Sequence, residues 1–387
     1  MKKILVIHNQ YREVGGEDIA VRNEVEVLSR HFIVEKLYFS NNIDIEKYFS
    51  QFFWFLRNKN SESLKKVEEK IDTFNPDIVY VHNTWFKASP AIFKILQKNN
   101  IKSFVKLHNF RFDCTKSYFS KFHLKGESAC KACGMQRSPY RFLNRYYEDS
   151  ILKSLIVVRF GRKYFKILKN KNIQILTLTN FQKEYLEDLN FNTKNINIHR
   201  NYLKFDDDNL KEYNPNSNYI VYAGRISREK GIQNLIDAYL LIENPPFKLK
   251  IVGNGPLLKE LKSKYYLSEQ ILFLGQLPNS ETKEIIQNSR AVVTATSLYE
   301  GQPTLLCEAS LLGIPSIYPN NGGIKEFFPS AYKLSYDISN KSQLTEKMNM
   351  LKSEDILMRI SSENKQFIQD FLNEDKYLDA FKKIINV

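Results

Sequence analysis

Two α/β domains, each a parallel sheet with helices on both faces, are what this sequence predicts. Three observations carry that prediction. The chain has 387 residues, enough for two cores of ordinary size. Its composition, 43% hydrophobic and 26% charged, is that of a folded globular chain rather than a disordered one. Short apolar runs alternate with stretches of helical periodicity from one end to the other, the order that builds parallel sheets.

In the first half, strands are expected over residues 4–8, 33–39, 78–82, 103–107 and 175–179, with helices such as 17–30 and 88–98 between them. In the second, strands are expected over 219–223, 248–252, 271–274, 290–295 and 315–318. Open parallel sheets bind ligands beyond the carboxyl ends of their strands, so the expected site is a cleft between the two domains. The linker is expected within 201–217, where Asp206-Asp207-Asp208 and Asn214-Pro215-Asn216 break the apolar periodicity. This gives a first domain over 1–202 and a second over 203–369, and residues 363–387 read as helical. No apolar run approaches the roughly eighteen residues of a membrane span, and a cytoplasmic location is expected.

The formal net charge of +14 asks for a polyanionic partner: nucleic acid, anionic lipid or a diphosphate-bearing substrate. Basic residues concentrate between 139 and 171, where Arg159, Arg162, Lys163 and Lys166 interleave with Phe160, Tyr164 and Phe165. Such a stretch suits the anionic face of a membrane or, equally, a core helix with a solvated basic side. The apolar stretch 48–57, with Phe52, Phe53 and Trp54, either packs on the core or cradles a lipid-linked acceptor.

The segment YEGQPTLLCEASLLGIPSIYPNNGGIKEFF is the most informative. Pro303 suits the first turn of a helix, Gly313 its C′ position, and Leu305, Leu306, Ala309 and Leu312 a buried stripe. Glu300 then precedes the helix and Glu308 lies about one turn inside it. The exposed N–H groups of a helix start seat a phosphate, and flanking carboxylates can hold hydroxyls of the same ligand.

Read whole, Glu300-Gly301-Gln302-Pro303, Gly313-Ile314-Pro315 and Gly322-Gly323-Ile324-Lys325-Glu326 resemble the signature of retaining glycosyltransferases of family 4. Gly224-Arg225 with Lys230-Gly231, and Gly253-Asn254-Gly255-Pro256, are similar to that family's phosphate and nucleotide loops. The resemblance runs nearly end to end and is strongest over 219–328. It implies a GT-B fold of two facing Rossmann-like domains and a terminal helix, about 370–387, that crosses back onto the first. It implies that Arg225 and Lys230 clamp the donor diphosphate, that Glu300 contacts the donor sugar, and that Glu308 accepts from the ribose hydroxyls. Backbone amides of Thr304 and Leu305 would meet the phosphates. Two cations and helix-start amides can stabilise the leaving diphosphate, so no metal is required for catalysis.

Gly15-Gly16, directly before a helix, permit positive φ and close approach of a ligand, and look like the family's glycine-rich loop. His108-Asn109 ends one strand and His82-Asn83 another; the resemblance assigns the sugar contact to His108, with His82 as rival. Asp206-Asp207-Asp208 matches an Asp-x-Asp metal pattern but sits in the linker, where a solvated acidic turn is the better reading. Cys114, Cys130 and Cys133, with His123 between them, could complete a structural zinc site, or be reduced thiols or a disulfide.

The expectation is a retaining transferase moving a sugar from a nucleotide donor, UDP foremost, to a lipid-linked glycan at the inner membrane face, as in capsule or O-antigen assembly. No nucleic-acid partner is expected; the alternatives are a nucleotide-sugar epimerase on the same fold and, behind it, a nucleic-acid-binding protein that would explain the charge.

Overall fold

The computed structural model describes residues 1–11, 15–42, 48–115, 143, 145, 147, 149–204 and 211–386. The chain divides into two units: Met1–Tyr202 with Glu374–Val387, and Leu203–Asn373.

The first unit is built on β1 (Lys3–Gln10), β2 (Ile33–Ser40), β3 (Ile78–Val81), β4 (Lys102–Leu107), β5 (Ile173–Thr177) and β6 (Ile196–Ile198), in the order β2-β1-β3-β4-β5-β6. Every neighbouring pair is parallel. All four residues of β3 are buried, as a strand covered on both faces requires. The helix Glu374–Ile385 belongs to this unit. Its Tyr377, Leu378, Phe381 and Ile385 form one stripe that joins Ile4, Val6, Tyr80 and Phe104 in the core.

The second unit is built on β7 (Tyr219–Ala223), β8 (Lys248–Val252), β9 (Ile271–Gly275), β10 (Val292–Val293), β11 (Ser316–Pro319) and β12 (Ser335–Tyr336), in the order β12-β11-β10-β7-β8-β9, again parallel throughout. Two parallel-sheet α/β units are therefore the observed fold, as the alternation of strands and helices predicted.

Two elements depart from expectation for identifiable reasons. The strand expected over 290–295 contracts to Val292–Val293. Pro315, just before the neighbouring strand β11, has no N–H to donate, and the Arg290 carbonyl instead accepts the Tyr213 hydroxyl at 2.7 Å. The helix expected over 363–387 is two, Glu354–Phe371 and Glu374–Ile385. Glu374 and Asp375 open the second, where carboxylates favour the positive end of a new helix dipole. The short strands β6 and β12 carry too few residues for a periodic signal.

Candidate active site

In the second unit, two glycine loops are locked backbone to backbone at the ends of β7 and β8. Gly224 donates to Val252 O at 3.0 Å, and Ile226 to Asn254 O at 2.9 Å. Gly253 has φ +133°, and a Cβ there would lie 1.9 Å from Gly224 O; one on Gly255 would lie 2.3 Å from Ile226 O. Only glycine allows this approach. Below the loop, the Tyr222 hydroxyl donates to Arg225 O at 2.7 Å. The Arg225 side chain is exposed and pairs with no carboxylate among the described residues.

Lys230 ends the short helix Arg228–Lys230, and Gly231 follows at φ +69°, where a Cβ would lie 1.9 Å from Ala295 O. This places Lys230 Nζ 2.5 Å from Glu300 Oε1, with both side chains about a quarter to a third exposed, 30% and 26%. Thr296, just beyond β10, donates its hydroxyl to the same oxygen at 3.3 Å. The Glu300 backbone bridges Gly322, and its carbonyl accepts from Gly323 N–H at 2.9 Å, so the signature's two glycine-bearing pieces meet.

The helix Thr304–Leu311 follows, with Pro303 at its N-cap rather than inside the first turn, and Gly313 at φ +76° two residues beyond its end. Leu306 and Ala309 are buried while Leu305 and Leu312 pack at the core's margin. Cys307, Ser310 and Leu311 are buried too, so the helix is covered nearly all round. Glu308 stays partly exposed; burial raises its carboxyl above the ordinary value, with Lys283 opposing.

In the first unit, Gly15 is the N-cap of the helix Gly16–His31 at φ −113°, and neither glycine adopts the positive φ that the paired glycines permitted. A Cβ on Gly16 would meet nothing within 4 Å, which leaves the helix start open to a ligand. Asp18 accepts from Gly15 N–H at 2.9 Å and from the buried His8 at 2.9 Å. Burial opposes its charge, but these bonds outweigh it and hold the carboxyl below the ordinary value. Beside it, the Tyr11 hydroxyl donates to Glu17 at 2.8 Å and the Asn109 amide to the same oxygen at 3.2 Å. Burial foremost raises the Glu17 carboxyl.

His82 and His108 follow β3 and β4, and the two rings meet, Nδ1 of His82 lying 2.9 Å from Nε2 of His108. His108 is partly exposed and His82 only 4% exposed, so His108 is the more accessible residue of the two, although its Nδ1 is buried. Beneath them Lys106 pairs with Glu24, both fully buried.

The sequence did not point to Thr296, the Tyr222 hydroxyl or the Glu24–Lys106 pair. Lys106 carried a signal: a lysine between Val105 and Leu107 in a strand buried on both faces must bring its own partner. Cys114 is buried, whereas Cys130, Cys133 and His123, like Asp206, Asp207 and Asp208, lie outside the described residues. Among the described residues, no group of three or more His, Cys, Asp or Glu is placed to hold a metal, and no helix is long and apolar enough to cross a membrane.

The helix Ile151–Leu168 turns Ile156, Val157, Val158, Phe160, Tyr164 and Leu168 into the core, leaving Ile151 and Leu152 as its exposed apolar residues. Most of its apolar face is thus a core face. A depression of about 460 Å³ lies at the end of the helix Tyr48–Arg57, lined by Ser50, Phe53, Trp54, Arg57, Lys59 and Ser61.

Comparison with known proteins bears on the second unit most directly. Residues 205–367 match the family model described as glycosyl transferases group 1. The chain is 30% identical over 153 residues to the amylovoran biosynthesis glycosyltransferase AmsD of Erwinia amylovora, covering 37% of this chain and 42% of that one. It is 25% identical over 252 residues to the UDP-Gal:alpha-D-GlcNAc-diphosphoundecaprenol alpha-1,3-galactosyltransferase of Escherichia coli, covering 58% of this chain and 63% of that one. The chain thus spans less than two thirds of the length of these relatives. Among solved structures, Anabaena Alr3699/HepE in complex with UDP-glucose shares the fold over the whole of both chains, with a TM-score of 0.67 at 14% identity.

Proposed function

We propose that this protein is a retaining glycosyltransferase of bacterial polysaccharide synthesis, moving a hexosyl or N-acetylhexosaminyl group from a UDP-sugar to a lipid-linked glycan. The observation that carries the reading is the Lys230–Glu300 contact at 2.5 Å, beside glycine loops that let backbone approach a ligand. Arg225 and Lys230 offset the charge that builds on the departing diphosphate. Glu300 faces the sugar, Glu308 the ribose, and the start of the helix Thr304–Leu311 the phosphates.

The C1–oxygen bond to the diphosphate breaks, a C1–oxygen bond to the acceptor hydroxyl forms on the same face, and the hydroxyl proton passes to the leaving phosphate. The Phe53, Trp54, Arg57 and Lys59 depression suits an apolar tail beside a phosphate and, with the charge of +14, favours an anionic membrane surface. The match to a diphosphoundecaprenol-dependent relative supports that acceptor class.

The test is incubation with a panel of UDP-sugars, with and without a polyprenyl-diphosphate-linked sugar, read by NMR of the anomeric proton. UDP release that requires the acceptor, with retention at C1, is expected. Epimer formation without acceptor, or inversion, contradicts the reading.

A further inference from the structure

Behind His108 lies a buried set of titratable side chains that donor binding does not use. The His82 and His108 rings stack, with centroids 5.2 Å apart and planes 27° from parallel. On its far side, His82 Nε2 faces the Glu24 carboxylate at 4.0 Å. Glu24 accepts from Lys106 on one oxygen and from the Tyr80 hydroxyl, at 3.0 Å, on the other. His8 stands edge-on to His82 at 6.2 Å, and Lys106 Nζ reaches His199 Nδ1 at 3.5 Å, with Tyr377 against that ring at 4.5 Å.

A hydrogen bond between two neutral imidazoles needs a proton on one and a lone pair on the other, so two arrangements exist. If His82 donates from Nδ1, its Nε2 lone pair confronts the Glu24 carboxylate. His108 must then carry its proton on Nδ1, a buried atom with no acceptor among the described residues. If His108 donates from Nε2, the His82 proton sits on Nε2 and points at Glu24, and His108 Nδ1 is left with only a lone pair. Each arrangement leaves one buried N–H without a hydrogen-bond acceptor among the described residues, at His108 Nδ1 in the first and at His82 Nε2 in the second. They differ at Glu24: an N–H dipole aimed at a carboxylate 4.0 Å away is favourable where a lone pair is not, so Glu24 selects the second arrangement. Burial foremost, then the neighbouring cation Lys106 and His8, hold both rings neutral, well below the ordinary histidine value.

We propose that His82 is a positioning residue for His108. Glu24 sets the tautomer of His82, and His82 in turn fixes His108 as the Nε2–H tautomer, holding a neutral ring at one angle beyond β4. The catalytic consequence rests on the transferase reading; the tautomer does not.

The test is two-bond ¹⁵N–¹H correlation NMR on protein labelled at its histidines, with kcat and KM measured on the same samples of wild type, His82→Leu and His82→Asn. Wild-type His108 is expected to show the Nε2–H pattern unchanged from pH 6 to 8. His82→Leu should lose that pattern and lower kcat by at least about tenfold, with a smaller change in KM for the donor. His82→Asn, whose amide oxygen can replace Nδ1 as acceptor, should recover part of the loss. An Nδ1–H pattern in wild-type His108, or unchanged kcat in a folded His82→Leu protein, overturns the proposal. If wild-type protein turns over no nucleotide sugar, the transferase reading fails, and the tautomer measurement alone decides this one.

Discussion

Lys230 and Glu300 are seventy positions apart in the chain and within hydrogen-bond distance in the fold. The contact depends on backbone conformation as much as on charge. Gly231 turns the chain after Lys230 where no other residue could pack against Ala295, and Gly322 lets the loop close on Glu300. Surface ion pairs contribute little to stability, so the pair's value is in placing two groups that a donor would use separately. Lys230→Ala and Glu300→Gln should each lower turnover by about 100- to 1000-fold while leaving the melting temperature nearly unchanged. Because the two side chains touch, and on the proposed function act on one ligand, the double variant should lose less than the product of the single losses, as steady-state kinetics of all four proteins would show. The residue types at this site were legible in the sequence, since the ordered glycines, prolines and acids are spaced as a signature. Thr296 was not, because a threonine at a strand end has no pattern to distinguish it. The histidine pair was half legible: both rings were found at strand ends, but only packing shows that they touch.

At the scale of elements, strand positions followed from apolar runs, and the misses came where a side chain or a proline overrode the run, as at Arg290 and Pro315. The helix Gly16–His31 shows how a local signal can be right about place and wrong about cause. Gly15-Gly16 marked its start, yet the start is secured by Asp18, not by an unusual glycine conformation. Asp18 is held below the ordinary carboxylate value in the fold, so its contribution is present above the unfolded value of about 3.9 and is lost as pH falls through the folded one. Asp18→Asn should therefore cost about 1–2 kcal/mol at pH 7, by analogy with other caps. The difference from wild type should shrink below about pH 4, as urea unfolding across pH would register. A difference that grows on acidification would contradict this assignment.

At the scale of the whole molecule, the described residues form two parallel sheets of six strands each, and the family match falls on the unit that holds the second. Charge was legible as a total, and the basic stretch 139–171 left two readings level, a membrane face and a core helix with a solvated basic side. Over Ile151–Leu168 the apolar residues are mostly committed to the first unit's core, as the second reading has it. Under the proposed function, the second unit holds a nucleotide sugar through Arg225, Lys230, Glu300 and the glycine loops. Isothermal titration of UDP and a panel of UDP-sugars against wild type and the Arg225→Ala/Lys230→Ala double variant tests it directly. Saturable binding by wild type, weakened at least about tenfold in the double variant, is the predicted result. Equal binding by both proteins, or none by the wild type, would contradict it.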